Sequence, residues 1–138
     1  MSKIRLPAKI DRLARLIKFI STFAEEQGYT QKQLREIELA SEEAMINIIN
    51  YAYQDETMGD IEVRCRMKDG VMLEIEISDT GILFDSNSFD DPDLNASVAE
   101  RKIGGLGIYI IRQLMDEVNY RREDNKNILN LVLNKSAE

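Results

Sequence analysis

Two tight turns constrain this chain more than any other feature. Lys68-Asp69-Gly70 and Asp124-Asn125 each separate two short segments that read as strands: 60–67 from 71–78, and 117–122 from 127–134. Turns of this chemistry supply the left-handed backbone that closes a β-hairpin. Strands joined as hairpins imply an antiparallel or mixed sheet. Lys3 to Leu6 is short enough for an edge strand.

The intervening segments read as helices. Leu13, Leu16, Ile17, Ile20 and Phe23 recur at three- and four-residue spacing within 8–27, and Gly28 is a plausible stop. Thr30 suits the cap of a second helix that continues from Leu34 to about Tyr53. A third helix is expected over 105–116, opening at a glycine cluster. Residues 80–104 read as a loop of about 25 residues, a length usually tied to function or motion. The order is helices, hairpin, long loop, helix, hairpin. It predicts an α+β two-layer sandwich with a mixed, mostly antiparallel sheet and helices on one face.

The 138 residues fit one domain and can bury a core without staples. Lys plus Arg number 18 against 25 Asp plus Glu, a net charge of −7. An acidic surface argues against nonspecific nucleic-acid or anionic-membrane binding. No apolar run is long enough to span a bilayer, and the first seven residues lack the core of a signal peptide. Cys65 is the single cysteine, so no internal disulfide is possible, and its strand context suggests a structural thiol. A cytoplasmic protein is expected. The chain has no histidine. That removes Ser-His-Asp triads, Cys-His pairs, histidine-ligated zinc and phosphohistidine chemistry. Any general base should be a carboxylate.

Three stretches carry chemistry. In Glu43-Ala44-Met45-Ile46-Asn47-Ile48-Ile49-Asn50-Tyr51-Ala52-Tyr53, polar Glu43, Asn47 and Asn50 fall at i, i+4 and i+7, on one helical face. The surroundings are apolar nearly all round, so Asn47 and Asn50 are expected to be buried and partnered. An asparagine oxygen is a hard ligand suited to Mg²⁺, and a glutamate one turn away can take a proton. The same residues are also compatible with a solvated helix charge and asparagines that satisfy backbone groups. Next, Asp79-Thr80-Gly81 follows a strand directly. A carboxylate there can accept from an exocyclic amine, and Gly81 lets the backbone turn and a flat base lie close; it reads equally as an ordinary turn. Finally, Gly104-Gly105-Leu106-Gly107 opens the third helix, presenting free N–H groups and a positive dipole end to phosphate, or merely packing closely. It lacks the Lys-Ser/Thr ending of a Walker loop. Arg101 and Lys102 precede it, cations that could neutralise a transferring phosphoryl group.

Together and in this order, the three stretches resemble the GHKL ATPase superfamily, and within it the anti-sigma-factor serine kinases of the RsbW and SpoIIAB type. The N box looks like Glu43 to Asn47. The first glycine box looks like Asp79-Thr80-Gly81 with Phe84-Asp85, and the second like Gly104-Gly105-Leu106-Gly107-Ile108. Ile111 to Val118 also reads like that subfamily. The resemblance covers essentially the whole chain.

The resemblance implies a Bergerat ATP-binding fold that takes ATP or ADP with Mg²⁺. It implies Glu43 as catalytic base toward a serine or threonine, Asn47 as the Mg²⁺ ligand and Asp79 as acceptor for the adenine amine, with Gly81 beside the base. Gly104, Gly105, Leu106 and Gly107 would line the phosphates. Asn50 and Phe84 count among the nucleotide contacts, residues 86–103 would be the lid, and Arg101 would reach the γ-phosphate. The implied partners are a STAS-domain anti-sigma-factor antagonist and a sigma factor, with homodimerisation common in the family.

The chain departs from the family at two points. Many relatives carry a second glycine where this chain has Leu83, and a threonine on a late strand where the nearest match is Asn130. Sensor kinases share the fold but carry a substrate histidine in a separate helical domain, so a complete sensor kinase is not expected. Two functional readings stand: a serine/threonine kinase that phosphorylates a small antagonist, or a nucleotide-responsive module that sequesters a sigma factor or other partner with little turnover. Glu43, which a pure binder does not need, favours the first.

Overall fold

The computed structural model describes residues 1–53, 58–82 and 105–136, apart from the side chains of Gly105 and Leu106. The elements in chain order are β1 (Ser2–Pro7), a short 3-10 turn (Ile10–Arg12), α1 (Leu13–Glu26), α2 (Gln31–Asn47), a π-helical turn (Ile48–Ala52), β2 (Asp60–Lys68), β3 (Met72–Asp79), α3 (Gly105–Leu114), β4 (Glu117–Glu123) and β5 (Lys126–Asn134). The strands form one sheet in the order β1-β2-β3-β5-β4. Every pairing among the described residues is antiparallel, so the sheet is not mixed.

Local chemistry explains the joints. Asp69 and Gly70 have φ of 56° and 72°, and Asp124 and Asn125 have 50° and 64°. Consecutive left-handed residues match the right-handed twist of the strands they connect. Helix α1 ends at Gly28, φ 89°, where the Gly28 N–H donates to Glu25 O and the Tyr29 N–H to Ala24 O. These are the paired bonds of a Schellman stop. Thr30 then caps α2 reciprocally with Gln33: Gln33 N–H donates to Thr30 Oγ1 at 3.1 Å, and Thr30 N–H to Gln33 Oε1 at 3.3 Å.

Strand alternation sorts the sheet into two faces. Cross-strand rows Cys65–Ile75–Leu131 and Val63–Ile77–Leu129 face the helices. Leu16 and Ile20 of α1, Ile37 and Met45 of α2, and Ile108 and Ile111 of α3 cover them, all at most 2 % exposed. Each such burial contributes roughly 1.5–3 kcal/mol. Cys65 lies in this core, its thiol pushed up to about 12 by burial, which leaves it unreactive. The opposite face carries ion pairs such as Arg66–Glu74 at 2.6 Å and Arg121–Glu76 at 3.8 Å. This is the two-layer α+β sandwich that the turn order predicts.

The site end of the molecule follows from the same rows. One row beyond Val63–Ile77–Leu129, the apolar face gives way to Asp79 opposite Asn127. Two polar residues thus take core-facing positions at the end of the sheet, beside the C-terminal end of α2.

Candidate functional site

Three chain segments meet at this end. The first is the last turn of α2 with its π-helical extension. Glu43 and Asn47 sit one turn apart and are half-buried. The winding changes at Ile48, and the five residues to Ala52 are π-helical, a geometry found frequently at functional sites. Asn50 falls in this turn and is exposed, contrary to the burial expected of it. The extra residue in the turn rotates each following side chain away from the face it would occupy on a regular helix.

The start of α3 supplies the second segment. A Cβ on Gly107 would lie 3.2 Å from Glu43 Oε2 and 3.3 Å from Asn47 Nδ2. The glycine therefore lets the α3 backbone approach the carboxylate and the amide directly. Asn47 Nδ2 is buried and has no hydrogen-bond partner among the described residues. A buried amide donor of this kind normally finds a partner in protein, water or ligand. Phosphate oxygens between the α3 N-terminus and Asn47 would satisfy it, and the Asn47 oxygen is a hard donor suited to Mg²⁺. Among the described residues, no three or more acidic, cysteine or histidine side chains are placed to hold a metal ion together. The donor set fits magnesium, which uses few protein ligands and completes its shell with water and phosphate.

The end of β3 is the third. Asp79 is 6 % exposed, and its Oδ1 accepts the Gly81 N–H at 2.8 Å and Asn127 Nδ2 at 2.9 Å. Burial pushes its carboxyl above the ordinary range, while the bonds from Asn127 and Gly81 and the charge of Arg122 pull it down. Among the described residues, its Oδ2 takes no hydrogen bond. Gly81 has a packing reason beyond the one read from sequence: a side chain there would collide with the Ala52 carbonyl. That same carbonyl accepts the Ile82 N–H at 2.9 Å. Tyr53 ties the two segments again, its hydroxyl accepting the Thr80 N–H at 2.9 Å and donating to Asp60 O at 2.7 Å.

The structure thus brings together Glu43, Asn47 and Gly107, and separately Asp79 and Gly81, with the π turn joining the two stations. Phe84, Asp85, Arg101, Lys102, Gly104, Leu83 and the lid at 86–103 lie outside the described residues, as does the side chain of Leu106. Gly105 is the first residue of α3. The late-strand position beside Asp79 belongs to Asn127, not to Asn130. Asn130 pairs with Glu76 and, three residues on, points to the opposite face. Tyr120, Arg122 and Tyr53 also escape sequence reading, because their roles depend on cross-strand register.

One end of the α+β sandwich thus gathers a carboxylate and a hard amide oxygen against a glycine-opened helix, with a buried acceptor at a strand end nearby. The chain belongs to the histidine kinase-like ATPase domain family, whose model matches residues 6–133. It is similar to the serine-protein kinase RsbW of Bacillus cereus strain B4264, 28% identical over 131 residues, covering 92% of this chain and 81% of that protein. RsbW of Bacillus cereus strain ATCC 10987 is 27% identical over the same shares. Among solved structures, the catalytic domain of histidine kinase ThkA superposes with a TM-score of 0.59 at 12% identity, covering 100% of both chains. The histidine kinase domain of the Erythrobacter litoralis EL346 blue-light activated kinase gives 0.56 at 20% identity, covering 88% of this chain and 58% of that one. These structural likenesses support the fold. Within the described residues, no helix is long and apolar enough to cross a membrane.

Proposed function

We propose that this chain is an ATP- and Mg²⁺-dependent serine/threonine protein kinase that acts, in the cytoplasm and as one domain, as an anti-sigma-factor-type regulator, and that its substrate is a small STAS-domain antagonist. The observation that carries this reading is the approach of Gly107 to Glu43 and Asn47. A module that only binds nucleotide needs the base acceptor and the glycines. It gains nothing from a carboxylate set against the helix start where phosphates would lie.

The residues divide the work. Asp79 Oδ2 accepts the adenine amine and sets the nucleotide's register. The α3 N-terminus and the Asn47 amide hold the phosphates, and the Asn47 oxygen would ligate magnesium, which neutralises phosphate charge when bound. Glu43 takes the proton of the acceptor hydroxyl as that oxygen bonds to the γ-phosphorus. The bond from the γ-phosphorus to the β-phosphate oxygen breaks, and ADP leaves. Positioning and charge neutralisation supply most of the acceleration.

The test is transfer of labelled γ-phosphate from ATP to purified STAS-domain proteins. Glu43→Gln should lower the rate by about 100-fold or more while ATP affinity changes little. Transfer that survives the substitution would remove Glu43 from the role. Nucleotide-dependent co-elution of a partner without any phosphorylation would favour the sequestering module instead.

A further inference from the structure

Asn127 is 6 % exposed and its side-chain amide is hydrogen-bonded at both ends. Its Nδ2 donates to Asp79 Oδ1 at 2.9 Å and to Ile82 O at 2.7 Å. Its Oδ1 accepts from the Tyr120 hydroxyl at 2.6 Å and from Arg122 Nη1 at 3.1 Å. Arg122 Nη1 donates in addition to Gly81 O at 2.9 Å. The amide can sit only one way round. Reversed, its oxygen would face a carboxylate and a carbonyl, and its NH₂ would face a guanidinium.

The consequence reaches the ligand through Asp79. Asn127 and the Gly81 N–H occupy Oδ1, so the carboxylate cannot turn that oxygen outward without losing two buried bonds. Oδ2 alone is left to meet a base, and it can only accept. We propose that Asn127, latched by Tyr120 and Arg122, is the positioning residue that sets purine selectivity, holding Asp79 as a fixed acceptor that admits a 6-amino base and rejects a 6-oxo base. This rests on the reading of Asp79 as the base acceptor.

Chemistry gives the direction of failure. A 6-oxo purine places a carbonyl oxygen against Oδ2, acceptor against acceptor. The mismatch disappears if Asp79 carries a proton, because a protonated carboxyl is a donor. The Asn127 bond favours the ionised form. Removing it therefore releases the rotation of Asp79 and eases its protonation, and both changes help the wrong base.

The experiment is calorimetric titration of the full chain with Mg²⁺ and either ATP or inosine triphosphate, at pH 6 and pH 8. Wild type should prefer ATP by about 100-fold or more, as sites built to pair a polar group do. Asn127→Leu should narrow that preference by about tenfold, the size of one lost charge-assisted hydrogen bond, and more at pH 6 than at pH 8. Tyr120→Phe should narrow it partially, and it carries the same test should Asn127→Leu fail to fold. Equal losses for the two nucleotides, with an unchanged ratio, would overturn the proposal and reduce Asn127 to a structural role. A wild type that binds both nucleotides alike would instead remove Asp79 as base acceptor, and this proposal with it.

Discussion

The carbonyl of Ala52 occupies the space where a side chain at Gly81 would begin. The end of the π turn and the segment that follows β3 are therefore in backbone contact, with the Ile82 N–H bonded to the same carbonyl. Neither partner is a flexible side chain that could move aside. Gly81→Ala should cost about 1–3 kcal/mol of stability, the usual range for overpacking, and weaken ATP binding by shifting the loop. Urea denaturation and nucleotide titration check both parts; an unchanged midpoint would mean that the loop yields without cost.

Gly107 presents a different situation. A Cβ there meets the tips of Glu43 and Asn47 at 3.2 and 3.3 Å, and side-chain ends can give way. Gly107→Ala should leave thermal stability within about 0.5 kcal/mol, or raise it slightly through better helix propensity. Affinity for Mg²⁺-ATP should fall about tenfold if, as proposed, the displaced groups meet phosphate and metal. Loss of stability in step with affinity would contradict the separation.

Asn47→Ala should behave oppositely for fold and ligand. Its Nδ2 is buried without a partner among the described residues, so deleting the amide removes an unsatisfied donor. Stability of the ligand-free chain should hold or rise by up to about 1 kcal/mol. ATP affinity should lose its dependence on Mg²⁺. Titrations with and without the metal decide the matter; retained Mg²⁺ dependence would remove Asn47 as its ligand.

Asp79 links stability to pH. Burial holds its carboxyl above the ordinary carboxylate range. As pH rises through the window between the unfolded and folded values, the unfolded chain releases this proton first, so the folded chain loses stability. Asp79→Asn cannot ionise there and keeps a carbonyl for Asn127 and Gly81. The stability advantage of Asp79→Asn over wild type should therefore be absent below that window, grow through it and level off above it. Denaturation at a series of pH values tests the trend, and a gap that closes with rising pH would reverse the assigned cause. Binding of ATP should nevertheless be much weaker in this variant.

Much of the architecture is written locally. The hairpin turns announce their geometry in Asp69-Gly70 and Asp124-Asn125, and the stop at Gly28 and the Thr30 cap lie beside the residues they act on. The spacing of Glu43 and Asn47 is equally local and puts them one turn apart, whereas their approach to Gly107, some sixty residues on, is a packing contact. Register is not local. Whether Asn127 or Asn130 meets Asp79 depends on how β5 aligns with β3 across a long stretch of intervening chain. A difference of three residues puts them on opposite faces. Asn50 fails for another reason: its neighbours are apolar, but a winding change at Ile48 moves it out of the periodicity that the argument assumed.

The sheet order places the last strand of the sequence between β3 and β4 rather than at an edge. A ribosome therefore releases β1, β2 and β3 as a pairable unit whose growing side stays open. β4 emerges with nothing to join until β5 arrives to bridge it to β3. Asp79 is synthesised early and waits for Asn127, so the hydrogen-bonded cluster at the end of β3 is among the last parts completed. Premature termination before residue 126 would then yield an exposed strand edge prone to association, and no partly active enzyme.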